Sequence, residues 1–162
     1  MSPPAILYTW LEVDRFTRVV AKAIRDANYR PDVIVGIARG GCVPAVHLSH
    51  LLDVRAFIAL EIQTTSSNAA YAGRLERPII NASAAISQIT SKKVLLVDDA
   101  VSTGKTLQYG LDFLKQFAPS EVRTAILVFD TTVPVGSDNC SLEVMDFWAH
   151  EAHAWALFPW TA

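Results

Sequence analysis

Three short apolar runs, VIVGIA at 33–38, VLLV at 94–97 and VRTAILVF at 122–129, most narrowly limit how this chain can fold. They lack the in–out alternation of a half-solvated strand and read as strands buried on both faces. Between them lie segments of helical period. From Trp10 to Asn28, Val13, Phe16, Val19, Val20, Ala23, Ile24 and Ala27 recur at helical spacing, with Pro31 just beyond. Pro44–Leu52 reads as a helix. So does Thr106–Phe117, with Leu107, Leu111, Leu114 and Phe117 along one face. Ala56–Ile62 is strand-like, and Leu142–Met145 and Trp155–Phe158 are predicted as short strands. Strands alternating with helices predict an α/β fold, a parallel sheet flanked by helices. A length of 162 residues fits one domain over 1–162.

Ligands of such sheets sit beyond the carboxyl ends of the strands. Two unusual turns are predicted there, Arg39–Gly41 and Asp98–Thr106. In the second, two adjacent carboxylates, Asp98 and Asp99, precede a turn built to hold an anion. The backbone N–H groups of Ala100–Thr106 and the Ser102, Thr103 and Thr106 hydroxyls can converge on a phosphate at a helix N-terminus. Gly104 lets the backbone close around it. A nucleotide-triphosphate P-loop is excluded, because Asp99 stands where that motif needs glycine. Gly36, Gly40 and Gly41 have the wrong spacing for a dinucleotide fingerprint. Carboxylates beside a phosphate loop fit a ligand with two unlike ends. A sugar diol or hydrated Mg²⁺ meets the acids, and a phosphate meets the loop.

The remaining composition narrows the partners. A formal charge of −2 gives no general footprint for nucleic acid or an anionic membrane, so neither is expected as a partner. Cys42 and Cys140 form no C-x-x-C pair, and the opening MSPPAILYTW has no signal-peptide pattern, so a cytoplasmic protein is expected. The four histidines match no metal-binding spacing. Thr64–Pro78 has no clean period and is predicted as a long loop of the kind that often serves as a lid.

Val94–Thr106 resembles the 5-phosphoribosyl-1-pyrophosphate (PRPP) signature of type I phosphoribosyltransferases: apolar run, two acids, short loop, T-G-x-T. The resemblance is closest to bacterial xanthine-guanine, or 6-oxopurine, phosphoribosyltransferases. Thr9-Trp10, the turn Arg39-Gly40-Gly41-Cys42-Val43-Pro44 and the late Trp155-Ala156-Leu157-Phe158-Pro159-Trp160 also match. It implies a Mg²⁺-dependent transferase acting on PRPP and a nucleobase in salvage. It also implies a homodimer or larger homo-oligomer, a lid at about 64–80 and a C-terminal base-binding hood at about 131–162. Asp98 and Asp99 would hold the ribose hydroxyls and the metal. Ser102, Thr103, Gly104, Lys105 and Thr106 would take the 5-phosphate. Arg39 and Gly40 would take the pyrophosphate, in a turn that in this family often has a strained or cis peptide, with Arg74 or Arg77 arriving from the lid. Trp155 would stack on the base, with backbone around Leu157 reading its edge. Arg39, Asp98, Asp99 and Ser102 form the implied catalytic set.

Two positions depart from the 6-oxopurine pattern. Ser102 replaces the aspartate placed near N7 of the base, and a neutral hydroxyl is a poor proton acceptor. At the end of the 122–129 run those enzymes carry a lysine for the exocyclic oxygen. Here Phe129 or Asp130 falls at that position. Asp130 facing the base favours an amino group over a carbonyl; Asp130 as a turn residue leaves the base unread. A non-catalytic sensor of PRPP or a nucleotide on the same fold is the competing expectation.

Overall fold

The computed structural model describes residues 4–66, 73–132 and 142–161. In chain order they form β1 (Ala5–Leu7), α1 (Trp10–Asp26), β2 (Val33–Ala38), α2 (Cys42–Leu51), β3 (Ala56–Thr65) and β4 (Arg74–Ala82). A 3₁₀ helix (Ala84–Ile89) leads to β5 (Lys93–Val101), α3 (Lys105–Lys115) and β6 (Glu121–Asp130). A 3₁₀ turn (Leu142–Val144), β7 (Phe147–Ala152) and β8 (Trp155–Leu157) complete the set.

The main sheet has six strands in the order β4-β3-β2-β5-β6-β7. All pairs are parallel except β3–β4. β1 and β8 pair in parallel as a separate two-stranded sheet. The α/β architecture predicted from the apolar runs is therefore present, and successive residues of those runs serve opposite faces. Ile34, Leu95 and Val97 pack with α1 and α2 residues such as Val20, Ile24 and Leu48. Val33, Val35, Val94 and Leu96 pack with Leu107 and Leu114 of α3 and with Ile86 and Ile89. Burial on both faces is why these strands read as unbroken apolar stretches.

α1 starts where Thr9 and Glu12 form a reciprocal cap: the Glu12 N–H donates to Thr9 Oγ1 at 3.3 Å, and the Thr9 N–H donates to Glu12 Oε2 at 2.8 Å. The Thr9-Trp10 pair that carried part of the resemblance is thus a helix start.

Some elements differ from the expectations. The segment predicted as loop up to Pro78 becomes strand at Arg74 and pairs antiparallel with β3. Pro78 sits where the register breaks, between the pairs Thr65–Arg74 and Gln63–Ile79, on the sheet edge. An edge strand at a bulge tolerates proline because no ladder bond is lost. Residues 67–72 of the predicted lid and 133–141 of the predicted hood lie outside the described residues, as does Cys140. Leu142–Val144 is a 3₁₀ turn and not a strand. β7 and β1 were not expected at all: FWAHEA carries two polar residues, and AIL is only three residues long. Among the described residues no helix is long and apolar enough to cross a membrane.

Candidate active site

β2 continues through α2 to β3 on one side, whereas its neighbour β5 continues through α3 to β6 on the other. α2 buries Ala45 and Leu48 on one sheet face, and α3 buries Leu107 and Leu114 on the opposite one. The chain therefore diverges between the carboxyl ends of β2 and β5. Such a topological switch point is where open α/β sheets leave a ligand crevice.

The acid pair lies at this point, within the strand and not on the turn after it. β5 runs on to Val101, with Asp98 opposite Ile126 and Ala100 opposite Val128 of β6. Asp98 is only 9% exposed, and its Oδ1 accepts from the Asp99 N–H at 2.9 Å. Asp99 Oδ1 accepts from the Ala100 N–H at 2.8 Å, and its Oδ2 accepts from the Trp160 indole N–H at 3.1 Å. Burial, then the charge on Asp99, pushes the Asp98 carboxyl well above the usual carboxylate range. Burial raises Asp99 too, against the pull of the Trp160 and Ala100 donors. The same surroundings raise the Cys42 thiol, through burial and then the charges of Asp98 and Asp99.

The Arg39–Gly41 turn presses directly on this pair. A Cβ added at Gly40 would stand 2.0 Å from Asp99 Oδ2, and one at Gly41 would stand 2.8 Å from the Asp98 Cα. Only glycine permits that approach. The Ala38–Arg39 peptide is cis, as the resemblance anticipates for this turn. Arg39 itself is exposed at the rim. Asp98, Asp99 and the Arg39–Gly41 turn, far apart in sequence, are thus brought together.

Ser102–Thr106 follows at once and opens α3. Gly104 is the N-cap with φ 77°, a left-handed conformation that suits glycine. It brings no side-chain acceptor to the first helical turn. The Thr103 hydroxyl lies 3.4 Å from the Lys105 N–H. A helix start of this kind, beside hydroxyls, suits a phosphate.

The residues predicted to hold a base stand elsewhere. Trp155 and Leu157 belong to β8, whose pairing with β1 already occupies the Leu157 carbonyl: it accepts from the Tyr8 N–H at 2.8 Å. In a parallel ladder the intervening residue, Ala156, turns its backbone groups away from β1. Asp130 ends β6, is 4% exposed and accepts from the Thr132 N–H at 2.9 Å through Oδ1. That bond is the turn role foreseen for it, yet the carboxylate is buried, and no cationic side chain pairs with it among the described residues. The Tyr8 hydroxyl is also buried and has no hydrogen-bond partner among the described residues. Burial raises its pKa, as do the charges of Glu12 and Asp130. No described contact joins Asp130 to Asp98 or Asp99. Arg74 starts β4 on the sheet edge, and its side chain is outside the described residues.

Three of the four histidines serve local contacts. His47 Nε2 lies 3.4 Å from Asp14, His150 stacks on Phe16 at 5.0 Å and His153 meets the Thr131 hydroxyl. Among the described residues no group of three or more His, Cys, Asp or Glu side chains could hold a metal. Two adjacent carboxylates still fit Mg²⁺, which keeps several waters and is commonly held by one or two carboxylates plus substrate phosphates.

Sequence reasoning assigned no role to Trp160 or Tyr8. The indole's link to Asp99 spans 61 positions and has no local signature. Tyr8 was hidden in a segment with no periodic pattern.

The structure thus brings a glycine turn against paired acids, with a glycine-capped helix start beside them, at the switch point of an α/β sheet. The chain belongs to the phosphoribosyltransferase family: the model of the phosphoribosyl transferase domain matches residues 6–160. By fold and family it is a phosphoribosyltransferase. It is 31% identical over 107 residues to a xanthine-guanine phosphoribosyltransferase of Cereibacter sphaeroides, covering 62% of this chain and 59% of that one. The match thus spans less than two thirds of that relative's length. The purine phosphoribosyltransferase structure from Pyrococcus horikoshii superposes with a TM-score of 0.74 at 29% identity, over 97% of this chain and 94% of that one. A Neisseria gonorrhoeae protein solved with bound ppGpp superposes with a TM-score of 0.76, over 100% and 92% of the two chains. At 20% identity it speaks for the fold alone.

Proposed function

We propose that this protein transfers the 5-phosphoribosyl group of PRPP to a nitrogenous base and releases pyrophosphate. The observation that carries this is the contact of Asp98-Asp99 with the Arg39–Gly41 turn, immediately before the Gly104 helix start. In the reaction the C1–oxygen bond to pyrophosphate breaks, a C1–nitrogen bond to the base forms, and the base nitrogen loses its proton. Asp98 and Asp99 accept the two ribose hydroxyls, and Ser102–Thr106 hold the 5-phosphate. Arg39, Gly40 and Arg74 serve the pyrophosphate, and Trp155 with the β8 backbone serves the base. Asp98 and Asp99 would hold Mg²⁺, which would supply positive charge toward the leaving group.

For the base we infer an amino-bearing purine without the 6-oxo group, or another atypical base, and not guanine or xanthine. Three features support this: a buried Asp130 with no cation beside it among the described residues, a Tyr8 hydroxyl with no partner among them, and Ser102 in place of an acid. A carboxylate accepts from an amino group and opposes a carbonyl oxygen. Ser102 also favours the second reading, a PRPP or nucleotide sensor of the same fold, because a hydroxyl is a weak proton acceptor.

One assay separates these readings: pyrophosphate release from PRPP with adenine, 2-aminopurine, hypoxanthine, xanthine and guanine. Turnover of the aminopurines above the oxopurines is expected. The Asp98→Asn/Asp99→Asn double variant should lose at least about 10²-fold in kcat/KM. Guanine or xanthine turned over as well as the aminopurines would overturn the base assignment. PRPP bound with no base ever consumed would establish the sensor.

A further inference from the structure

Trp160 is where the C-terminal segment touches the acid pair. Its indole N–H donates to Asp99 Oδ2 at 3.1 Å, while the Ala100 N–H donates to Oδ1 at 2.8 Å. Both carboxylate oxygens are therefore oriented by donors, and each keeps a lone pair for a ligand. The indole is itself held. Its ring lies on Phe158 with centroids 4.7 Å apart and planes at 3°, and Phe158, 1% exposed, stacks on Tyr8 at 5.6 Å. The intervening chain is closed by the Phe158 N–H on Thr161 Oγ1 and the Thr161 N–H on the Phe158 carbonyl, both 2.9 Å. On the other side, a Cβ at Gly40 would stand 3.2 Å from the indole nitrogen. Packing on both sides fixes where the N–H points.

We propose that Trp160 is a positioning residue: it orients Asp99 for the sugar hydroxyls of the substrate and ties the segment that carries Trp155 and Leu157 to that end of the site. The proposal rests on the assignment of Asp99 to the ribose. Trp160 acts through Asp99, so its loss weakens binding of the sugar phosphate and leaves the phosphate loop and the Arg39–Gly41 turn intact. A neutral N–H suits this task, because it fixes the carboxylate without bringing a cation that would compete with the metal.

The test is calorimetric titration of PRPP, in Mg²⁺, into the wild type, Trp160→Phe, Asp99→Asn and the double variant, with thermal melting of each. Trp160→Phe keeps a ring on Phe158 and removes only the donor. Roughly tenfold weaker PRPP binding is expected, the scale of one hydrogen bond to a charged group. In turnover the change should fall on KM for PRPP and leave kcat within about twofold. In the Asp99→Asn background, Trp160→Phe should add almost nothing, because the two residues act as a unit. Trp160→His, which restores a ring N–H, should recover part of the affinity. Equal binding by Trp160→Phe and wild type, an equal penalty in both Asp99 backgrounds, or equal weakening by the Phe and His variants would overturn the proposal. A wild type that does not bind PRPP overturns the transferase reading along with it. A wild type that binds while Trp160→Phe binds equally well overturns Trp160 alone.

Discussion

The two ends of the site are built from different materials. At the β2–β5 end, acids, turn and loop are locked together by backbone: Gly40 lies against Asp99, Gly41 against the Asp98 backbone, and Gly104 opens α3. At the β6–β8 end the distinctive groups are side chains: a buried Asp130 carboxylate that accepts from the Thr132 N–H, and a Tyr8 hydroxyl with no partner among the described residues. The first end has little freedom to change, because each position is fixed by space or φ. The second can change one side chain at a time without moving a strand. Against the 6-oxopurine pattern this chain differs at both ends, by Ser102 in the loop of the first and by Asp130 at the second.

Gly40→Ala attacks the rigid end and should have the largest effect. Its methyl would overlap Asp99 Oδ2, so PRPP binding should fall below detection while stability drops by roughly 1–3 kcal/mol, the cost of overpacking. Calorimetry and chemical denaturation measure the two effects; unimpaired PRPP binding would mean that the turn and the acid pair do not share a ligand. Asp130→Lys attacks the variable end. It should leave PRPP affinity unchanged and move the ratio of oxopurine to aminopurine turnover roughly 10–100-fold toward the oxopurines, the scale of one charged hydrogen bond. A ratio that does not move places Asp130 outside base recognition.

The smallest effect is on stability against pH. Asp98 and Asp99 have carboxyl pKa values raised in the fold, so the native state binds more protons than the unfolded chain in the window above the ordinary carboxylate range. Their contribution is most favourable when they are protonated, and it declines as pH rises through their folded pKa values. Melting of Asp98→Asn relative to wild type should therefore show a gain that grows from pH 4 toward pH 8, even as function is lost. A gain independent of pH would mean that Asp98 is not ionising against its burial. Stability given up at a functional position is the usual sign of a site whose ligand supplies the missing partner.

Much of the rigid end was legible before the fold was known. The apolar runs at 33–38, 94–97 and 122–129 could be little else than doubly covered strands, and the phosphate loop and glycine turn carry local signatures. What escaped prediction depends on tertiary placement. The strand Arg74–Ala82 was hidden by Pro78, which an edge bulge accommodates. The acids were expected on a turn because two aspartates suit a strand poorly; pairing with β6 holds them in β5. Leu142–Val144 has the apolar content of a strand but folds as a 3₁₀ turn. The Trp160–Asp99 bond joins residues 61 positions apart, and no periodicity announces such a contact.

Titration of PRPP, ribose 5-phosphate and pyrophosphate against the wild type and the Asp98→Asn/Asp99→Asn variant tests the division of labour most directly. If acids hold the sugar while loop and turn hold the phosphates, the variant loses PRPP and ribose 5-phosphate by at least about tenfold each. In the absence of Mg²⁺ it should keep its pyrophosphate affinity within about twofold. A double variant that binds PRPP as tightly as the wild type would contradict it.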